Sequence, residues 1–163
     1  MIPYIGPELL AASHDVADFD CGDPALNDWL QQRAVRNQRE GSSRTWVVTD
    51  PTTRVVAYYA SSTAALTRTG ATKRAARNQP DPLPAMLLGR LAVDQAHQGR
   101  GLAAALLKHF LLKALEVAAI TGLRIVLVHA KNPQAASFYH HYGFEPSPID
   151  DLTLMLLTKD IQT

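Results

Sequence analysis

The sequence predicts a single-domain α/β (α+β) fold over residues 1–163, with a mixed central β-sheet flanked by helices. Two observations carry this prediction. The chain has 163 residues, 47% of them hydrophobic, which suits one domain with a core of ordinary size. Runs of strand length alternate with stretches of helical periodicity, in the order α, β, β, β, α, β, α, β. Helices and strands in such an order pack as layers around a mixed sheet.

The first predicted helix begins at Pro24, because Asp23 can cap it and proline suits the first helical position. Apolar residues at helical spacing extend this helix to about residue 37. Two runs of β-branched and aromatic residues follow, and they predict strands over 45–49 and 54–60 with a turn between them.

A long connection and a buried strand come next. Residues 61–84 are polar and basic and contain three prolines, so we expect a long functional loop there. The apolar run over 86–93 predicts a buried central strand, in which Gly89 is a candidate bulge. The remaining predicted elements are a long helix over about 101–120, a strand over 124–129, a short helix over 132–142 and a last strand over 151–157.

The composition excludes several classes of protein. Intrinsic disorder needs low hydrophobicity with high net charge, and this chain has neither. No stretch approaches the roughly 20 apolar residues of a membrane-spanning helix, and the first residues lack the pattern of a signal peptide. The single cysteine, Cys21, has no internal disulfide partner. We therefore expect a cytoplasmic protein with no membrane partner.

The formal net charge of +1 conceals an asymmetry along the chain. Residues 1–30 contain six acidic residues and no lysine or arginine, residues 31–77 contain nine basic and two acidic residues, and residues 78–163 contain seven of each. Arginine, which supplies 11 of the 16 basic residues, suits bidentate phosphate recognition. The middle segment indicates either a solvated surface with local ion pairs or a local phosphate-binding surface. The net charge of +1 over the whole chain excludes a uniformly basic protein that coats nucleic acid.

A glycine-rich turn connects the predicted central strand to the long helix. Gly99 and Gly101 permit positive φ and let a ligand approach the backbone closely. The first N–H groups of the helix have no internal partner, and with the helix dipole they form a site suited to a pyrophosphate. The turn lacks the third glycine of a dinucleotide fingerprint and the lysine of a P-loop. The glycines alone do not distinguish such a site from an ordinary strand-to-helix turn that serves only packing.

Two motifs resemble those of the GCN5-related N-acetyltransferase (GNAT) superfamily. The first is Gln98-x-x-Gly101-x-Ala103 after an apolar strand, which resembles the family's acetyl-coenzyme A motif. The second is the run Asn132-Pro133-Gln134-Ala135-Ala136-Ser137-Phe138-Tyr139-His140-His141-Tyr142-Gly143-Phe144. One helix and one strand separate the motifs, as in the family.

The N-terminal half narrows the resemblance to one subfamily. The segments 19–30, 41–47, 56–60 and 87–93 resemble the GNAT toxins of bacterial type II toxin–antitoxin pairs. The resemblance implies the GNAT fold, acetyl-coenzyme A as co-substrate without a metal, and acetylation of the α-amino group of aminoacyl-tRNA, which blocks translation. It also implies a ribbon-helix-helix antitoxin, and binding of operator DNA only through the antitoxin complex. A homodimer is expected, with 61–84 as a candidate interface.

The resemblance assigns roles within the site. Tyr139 matches the tyrosine that protonates the leaving coenzyme A thiolate, and a backbone N–H near Val93 is expected to polarise the acetyl carbonyl. No general base is assigned, because a free α-amine has a pKa of about 7.7–8.0 and an ester neighbour lowers it. Asp94 and His97 are expected to cap the turn or to face solvent. The residues expected to bind acetyl-coenzyme A are Leu91, Ala92, Val93, Gln98, Gly99, Arg100, Gly101, Leu102, Ala103, Ala104 and Asn132.

With tRNA as acceptor, basic residues of the middle segment become candidates for phosphate contacts that position the acceptor stem. These nucleic-acid-binding candidates are Arg33, Arg36, Arg39, Lys73, Arg74 and Arg77. Two alternatives stay open. One is the same chemistry on a small-molecule or peptide amine. The other is a non-catalytic module that binds acyl-coenzyme A and acts as the antitoxin's co-repressor.

Overall fold

The computed structural model describes residues 3–162. Its strands are β1 (Ile5–Leu9), β2 (Arg44–Thr49), β3 (Val55–Leu66), β4 (Leu83–Val93), β5 (Ile125–His129), β6 (Glu145–Ser147) and β7 (Asp150–Leu157). Its α-helices are α1 (Pro24–Gln32), α2 (Ala34–Arg39), α3 (Lys73–Ala76), α4 (Leu102–Ala118) and α5 (Pro133–His141). Short 3₁₀ segments occupy Arg68–Gly70, Gln95–His97 and Thr158–Asp160.

The strands form one mixed sheet in the order β1-β2-β3-β4-β5-β7-β6. The pairs β1–β2, β2–β3, β5–β7 and β6–β7 are antiparallel, whereas β4 and β5 are parallel. The β4–β5 register extends from Ala85↔Ile125 to Leu88↔Val128. Parallel neighbours need a crossover connection, and α4 is part of it. The mixed sheet with its helices confirms the predicted fold class.

The described chain forms two compact units, and the first contains residues 3–62 and Gly89–His109. Its helix α1 begins as predicted, since the Asp23 carboxylate accepts a hydrogen bond of 3.0 Å from the Ala25 N–H and proline follows the cap. The buried face of this helix packs into the core of the unit. That core contains Leu10, Phe19, Trp29, Leu30, Ala34, Val47, Val55, Tyr58, Ala60 and Ala92.

The single helix predicted from Pro24 to about residue 37 is wrong, because the structure has two helices there. Arg33 separates them, with φ −127° and ψ −25°. The side-chain amide of Gln38 donates to the Leu10 carbonyl (2.8 Å) and accepts from the Thr45 N–H (3.0 Å). These bonds join the end of α2 to Leu10, 28 positions earlier, and to the start of β2, so the placement of α2 depends on contacts outside the helix.

The second unit contains Thr63–Leu88 and residues 110–162. The long loop predicted over 61–84 is wrong for most of its length, because β3 continues to Leu66, α3 intervenes and β4 begins at Leu83. Tertiary contacts order this segment. Arg124 donates to the backbone carbonyls of Ala75 (2.9 Å) and Arg74 (3.0 Å) at the end of α3. The core here comprises Ala71, Ala75, Ala76, Leu83, Ala85, Ile125, Leu127, Met155 and Leu157.

Strands β1 and β6 are absent from the predicted elements. β1 includes Pro7 and lies at one edge of the sheet, and β6 has three residues, of which Pro146 is one. Proline lacks the N–H that a central strand needs, so the local sequence of both segments is typical of loops. The other predicted strands and helices occur within a few residues of their expected bounds. Among residues 3–162 we find no helix that is both long and apolar enough to cross a membrane.

Candidate active site

The candidate site begins where β4 ends. Asp94 follows the strand, and its carboxylate accepts hydrogen bonds from the N–H groups of Ala96 (2.9 Å) and Asp20 (3.0 Å). It therefore caps the 3₁₀ segment Gln95–His97, which confirms the capping role expected of Asp94. The carboxylate also holds the segment before α1 against the end of the strand.

Gln98 closes the turn onto the strand. Its side-chain nitrogen donates to the backbone carbonyl of Val93 at 3.0 Å, and the Cys21 carbonyl accepts from the same nitrogen at 3.4 Å. The side-chain amide of Gln98 is thus hydrogen-bonded to main-chain carbonyls of two other segments. Its function in this structure is to position the turn.

The glycines of the turn adopt the conformation that the sequence predicts. Gly99 has φ +79° and Gly101 has φ +81°, and no heavy atom lies within 4 Å of the place where a Cβ would sit on either residue. Neither glycine is therefore needed for packing. Positive φ and open space next to the backbone together suit a ligand that approaches the main chain closely.

The glycine turn leads directly into α4. Ala105 N–H donates to the Gly101 carbonyl at 3.1 Å, so the amides of Leu102, Ala103 and Ala104 precede the first bond of the helix. Together with the positive end of the helix dipole, such amides are donors for an anion. Leu102 is buried, whereas Gly99, Arg100 and Gly101 are exposed. The turn is thus open to solvent where it leads into α4.

Tyr4 joins this site, and nothing in the sequence pattern indicated it. Its hydroxyl lies 2.8 Å from Nδ1 of His97 and accepts a hydrogen bond of 3.2 Å from the Arg100 guanidinium. The Tyr4 and His97 rings meet edge to face at 5.6 Å. His97 therefore lies half-buried against an aromatic ring, and the N-terminal segment supports the turn.

Asn132 and Tyr139 lie at the start and near the end of α5. Oδ1 of Asn132 accepts a hydrogen bond of 2.8 Å from the Ala135 N–H and caps the helix. Tyr139 is only 7% exposed, and its ring meets those of Phe138 (5.2 Å) and Phe144 (5.6 Å) edge to face. Tyr139 is therefore part of the aromatic packing, as well as a candidate for chemistry.

Burial raises the pKa of the Tyr139 hydroxyl above its ordinary value, because a phenolate would lose its hydration there. The group is thus a neutral phenol at physiological pH, with a proton to donate. That is the protonation state required of a general acid.

A family model described as an acetyltransferase (GNAT) domain matches residues 41–146 of the chain. The chain is a GNAT acetyltransferase. The match includes the glycine turn and Tyr139, so the resemblance of the two motifs to this family is confirmed.

Two curated relatives match almost the whole chain. A tRNA-acetylating toxin of Mycobacterium tuberculosis is 44% identical over 98% of this chain and 96% of its own length. A probable toxin TacT of Sinorhizobium fredii is 26% identical over 92% of this chain and 88% of its own length.

Solved structures of toxins with this fold match the chain over almost their whole length. AtaT complexed with acetyl-methionyl-tRNAfMet superposes with a TM-score of 0.88 at 30% identity, covering 98% of this chain and 96% of the other. AtaTR bound with acetyl-coenzyme A gives a TM-score of 0.81 at 30% identity, covering 97% and 94%. A complex of KacTA with DNA gives 0.78 at 28% identity, covering 98% and 94%.

The basic candidates of this acetyltransferase are divided between the two units. Arg33, Arg36 and Arg39 are exposed in the first unit, and Lys73, Arg74 and Arg77 are exposed in the second. Arg36 pairs with Glu40 at 3.4 Å on an open surface, which leaves its charge largely available.

Arg74 is engaged more firmly than the other basic candidates. Its guanidinium forms two hydrogen bonds with the Asp160 carboxylate, one of them 3.0 Å long. The pair lowers the pKa of Asp160 and raises that of Arg74. Arg74 therefore contributes to holding the 3₁₀ segment Thr158–Asp160 on α3, in addition to any role at a ligand.

The histidines have structural partners. Nδ1 of His129 lies 3.1 Å from the Thr153 hydroxyl, and Nδ1 of His140 lies 3.2 Å from the Phe144 carbonyl. Over residues 3–162 the structure holds no group of three histidine, cysteine or acidic side chains placed to bind a metal ion.

Proposed function

We propose that this chain is the toxin of a type II toxin–antitoxin pair, and that it transfers acetyl from acetyl-coenzyme A to the α-amino group of aminoacyl-tRNA. The observation that carries the proposal is the 44% identity to a tRNA-acetylating toxin over 98% of the chain. Structural similarity to AtaT complexed with acetyl-methionyl-tRNAfMet supports the same acceptor. Acetylation of that amine would block translation.

The glycine turn fits the pyrophosphate of acetyl-coenzyme A. The free amides before Ala105 and the open space beside Gly99 and Gly101 form a cradle that any Cβ would narrow. We assign the pyrophosphate to Gln98, Gly99, Arg100, Gly101, Leu102, Ala103 and Ala104. We assign the pantetheine arm to the backbone of Leu91, Ala92 and Val93 and to Asn132. Bound acetyl-coenzyme A supplies the acetyl thioester.

Tyr139 acts in this proposal as the proton donor to the departing sulfur. The amine nitrogen forms the new amide bond, the carbon–sulfur bond breaks, and the sulfur takes a proton. A thiol has a pKa near 8.5, which is lower than the pKa of the buried Tyr139 phenol, so proton transfer from Tyr139 to the thiolate is unfavourable by itself. The transfer is completed when the proton lost by the amine returns to the Tyr139 oxygen. Burial thus makes Tyr139 a donor that starts and ends the reaction protonated. A backbone N–H near Val93 polarises the carbonyl.

The acceptor stem of tRNA would lie against Arg33, Arg36, Arg39, Lys73, Arg74 and Arg77. Side chains of this kind neutralise phosphates without reading sequence. The structures of AtaT with its antitoxin and of KacTA with DNA support an antitoxin partner and operator binding through the joint complex. We propose in addition a ribbon-helix-helix antitoxin, a homodimer and a cytoplasmic location. Both units would act as one N-acetyltransferase domain over residues 1–163, since the family model spans residues of both.

The decisive experiment incubates the purified protein with radiolabelled acetyl-coenzyme A and a pool of charged tRNA. We expect label in the aminoacyl-tRNA fraction and arrest of a cell-free translation reaction. Deacylated tRNA is the matched control, because it has the same phosphates and no amine. Label that appears only on free amino acids or peptides would show a small-molecule enzyme. Absence of label with retained acetyl-coenzyme A binding would indicate a non-catalytic co-repressor.

A further inference from the structure

A pocket of about 650 Å³ opens in the first unit. Its volume falls within the range of small-molecule binding sites. Side chains from α1, α2 and β4 surround it, together with the residue between the two helices. The residues that bear on its chemistry are Asp28, Trp29, Gln32, Arg33, Asn37 and Arg90.

Arg90 lies at the end of an aromatic stack. Its guanidinium carbon is 4.3 Å from the centroid of the Trp29 ring, and Trp29 is stacked on Tyr58 with centroids 6.0 Å apart and planes 12° apart. The Tyr58 hydroxyl donates to the Leu26 carbonyl at 2.8 Å, which fixes the far end of the stack. Trp29 and Tyr58 are both buried. The stack thus holds a planar cation in place at the wall of the pocket.

Three charged side chains line this pocket, those of Asp28, Arg33 and Arg90. Within residues 3–162, neither the Arg90 guanidinium nor the Asp28 carboxylate has an ion pair or a side-chain hydrogen bond, and the same holds for Arg33. An arginine has five N–H donors, and Arg90 is only half exposed. The pocket therefore offers donors, a carboxylate acceptor and a planar surface to a ligand.

We propose that this pocket binds a nucleotide of the single-stranded 3′ end of tRNA, which orients the aminoacyl ester. The proposal rests on the proposed function. A base stacks on the guanidinium of Arg90, as bases do on arginine and aromatic side chains in single-strand binding. The Asp28 carboxylate accepts from an exocyclic amino group, which adenine and cytosine have and uracil lacks. Arg33 contacts the phosphate.

The position of Arg90 along β4 supports this arrangement. It precedes Val93 by three residues, and a strand rises about 3.3 Å per residue, so about 10 Å of strand separate the two positions. Val93 ends the strand at the glycine turn, where the thioester carbonyl is assigned. A nucleotide at Arg90 is therefore within reach of an ester attached to it. The net positive charge of two arginines and one carboxylate matches one phosphate.

One experiment compares two acceptors that carry the same amino acid. Aminoacyl-tRNA contains the nucleotide, whereas the amino-acid methyl ester has only the α-amine. We expect Arg90→Gln to lower kcat/KM about 30-fold for aminoacyl-tRNA and to leave the methyl ester and acetyl-coenzyme A binding unchanged. Arg54→Gln is the control, since Arg54 is an exposed arginine of the same unit that pairs with Asp18 at 3.3 Å. Equal losses with both acceptors would overturn the proposal.

A second experiment needs no catalysis and so separates the pocket from the proposed function. The RNA trinucleotides CCA and UUU are titrated into the wild type, Arg90→Gln and Asp28→Ala. We expect CCA to bind the wild type about tenfold more tightly than UUU, Arg90→Gln to weaken both, and Asp28→Ala to remove the preference. Equal affinity of the wild type and Arg90→Gln for CCA would overturn the pocket assignment. CCA binding by a wild type that does not acetylate aminoacyl-tRNA would refute the proposed function alone.

Discussion

The side-chain amide of Gln98 donates a hydrogen bond of 3.0 Å to the backbone carbonyl of Val93. The bond joins the end of β4 to the middle of the segment that leads into α4. An exposed glutamine thus restricts the backbone whose amides are the candidate anion donors. We therefore expect this motif residue to act through the geometry of the turn.

Replacement of Gln98 by alanine should release the turn. We expect the Kd for acetyl-coenzyme A to rise about fivefold, which corresponds to the roughly 1 kcal/mol of an ordinary hydrogen bond. Calorimetric titration measures it. Gln134→Ala is the control, because Gln134 is an exposed glutamine of α5 outside the turn. An unchanged Kd for Gln98→Ala would show that the bond does not position the donors.

Because Gly101 has a positive φ, its replacement by alanine should disturb the protein more than the same replacement at Gly122, another exposed glycine. Gly101→Ala places a Cβ where φ is +81°, whereas Gly122→Ala adds a methyl group at a glycine without positive φ. We expect Gly101→Ala to cost about 1 kcal/mol of unfolding free energy, because non-glycine residues avoid this region. It should also weaken acetyl-coenzyme A binding. Gly122→Ala should leave the unfolding free energy and acetyl-coenzyme A binding unchanged. Equal effects of the two variants would contradict the assignment of the glycine turn as the binding site for the pyrophosphate.

Tyr139→Phe removes the hydroxyl and keeps the ring against Phe138 and Phe144. We expect kcat to fall by about 10²–10⁴-fold, the usual range for loss of a general acid, with unchanged affinity for acetyl-coenzyme A and unchanged Tm. Tyr142→Phe is the matched control, because Tyr142 belongs to the same sequence motif as Tyr139 but is 41% exposed. A variant at 139 with wild-type kcat would remove Tyr139 from the mechanism.

The pH profile of the reaction tests the state of Tyr139 independently. Burial raises the pKa of Tyr139 above 10.0, so its acid form persists through neutral pH and is lost only in strong alkali. The α-amine reacts when neutral, so kcat/KM should rise with pH to a plateau at or below about pH 8 and stay level to about pH 9. A wild-type profile that falls between pH 7 and 9 would show an acid with a lower pKa than that of Tyr139.

The ion pair between Arg74 and Asp160 dictates how the basic candidates are tested. Arg74→Glu would place a carboxylate next to Asp160, so loss of activity there would combine a folding defect with any binding defect. Lys73 and Arg77 are exposed without such a pair among the described residues, so Lys73→Glu with Arg77→Glu is the cleaner change. We expect weaker tRNA binding, with a log–log salt slope smaller by about two, and unchanged acetyl-coenzyme A binding. Lys108→Glu is the control, and an equal loss there would indicate a general charge effect.

The local conformation of the candidate site was more predictable from the sequence than the contacts that support it. Gly99 and Gly101 could be assigned because a positive φ leaves a residue-type signal, and Asp94 because a cap does. Tyr4 left none: its hydroxyl reaches His97 across 93 positions of the chain. A contact over that separation depends on how distant segments pack, and one sequence carries no periodic trace of it.

The sequence by itself determined the main strands and helices, the glycine turn and the two family motifs, because these depend on local periodicity and on residues at fixed spacing. The tertiary structure decided the rest. Gln38 ties α2 to Leu10 and Thr45 through its side-chain amide, and Arg124 bonds to the end of α3 within a segment that the sequence predicts as a loop. It also placed Arg90 on Trp29, which lies 61 positions earlier. In each case the deciding free energy comes from groups that are neighbours only after folding.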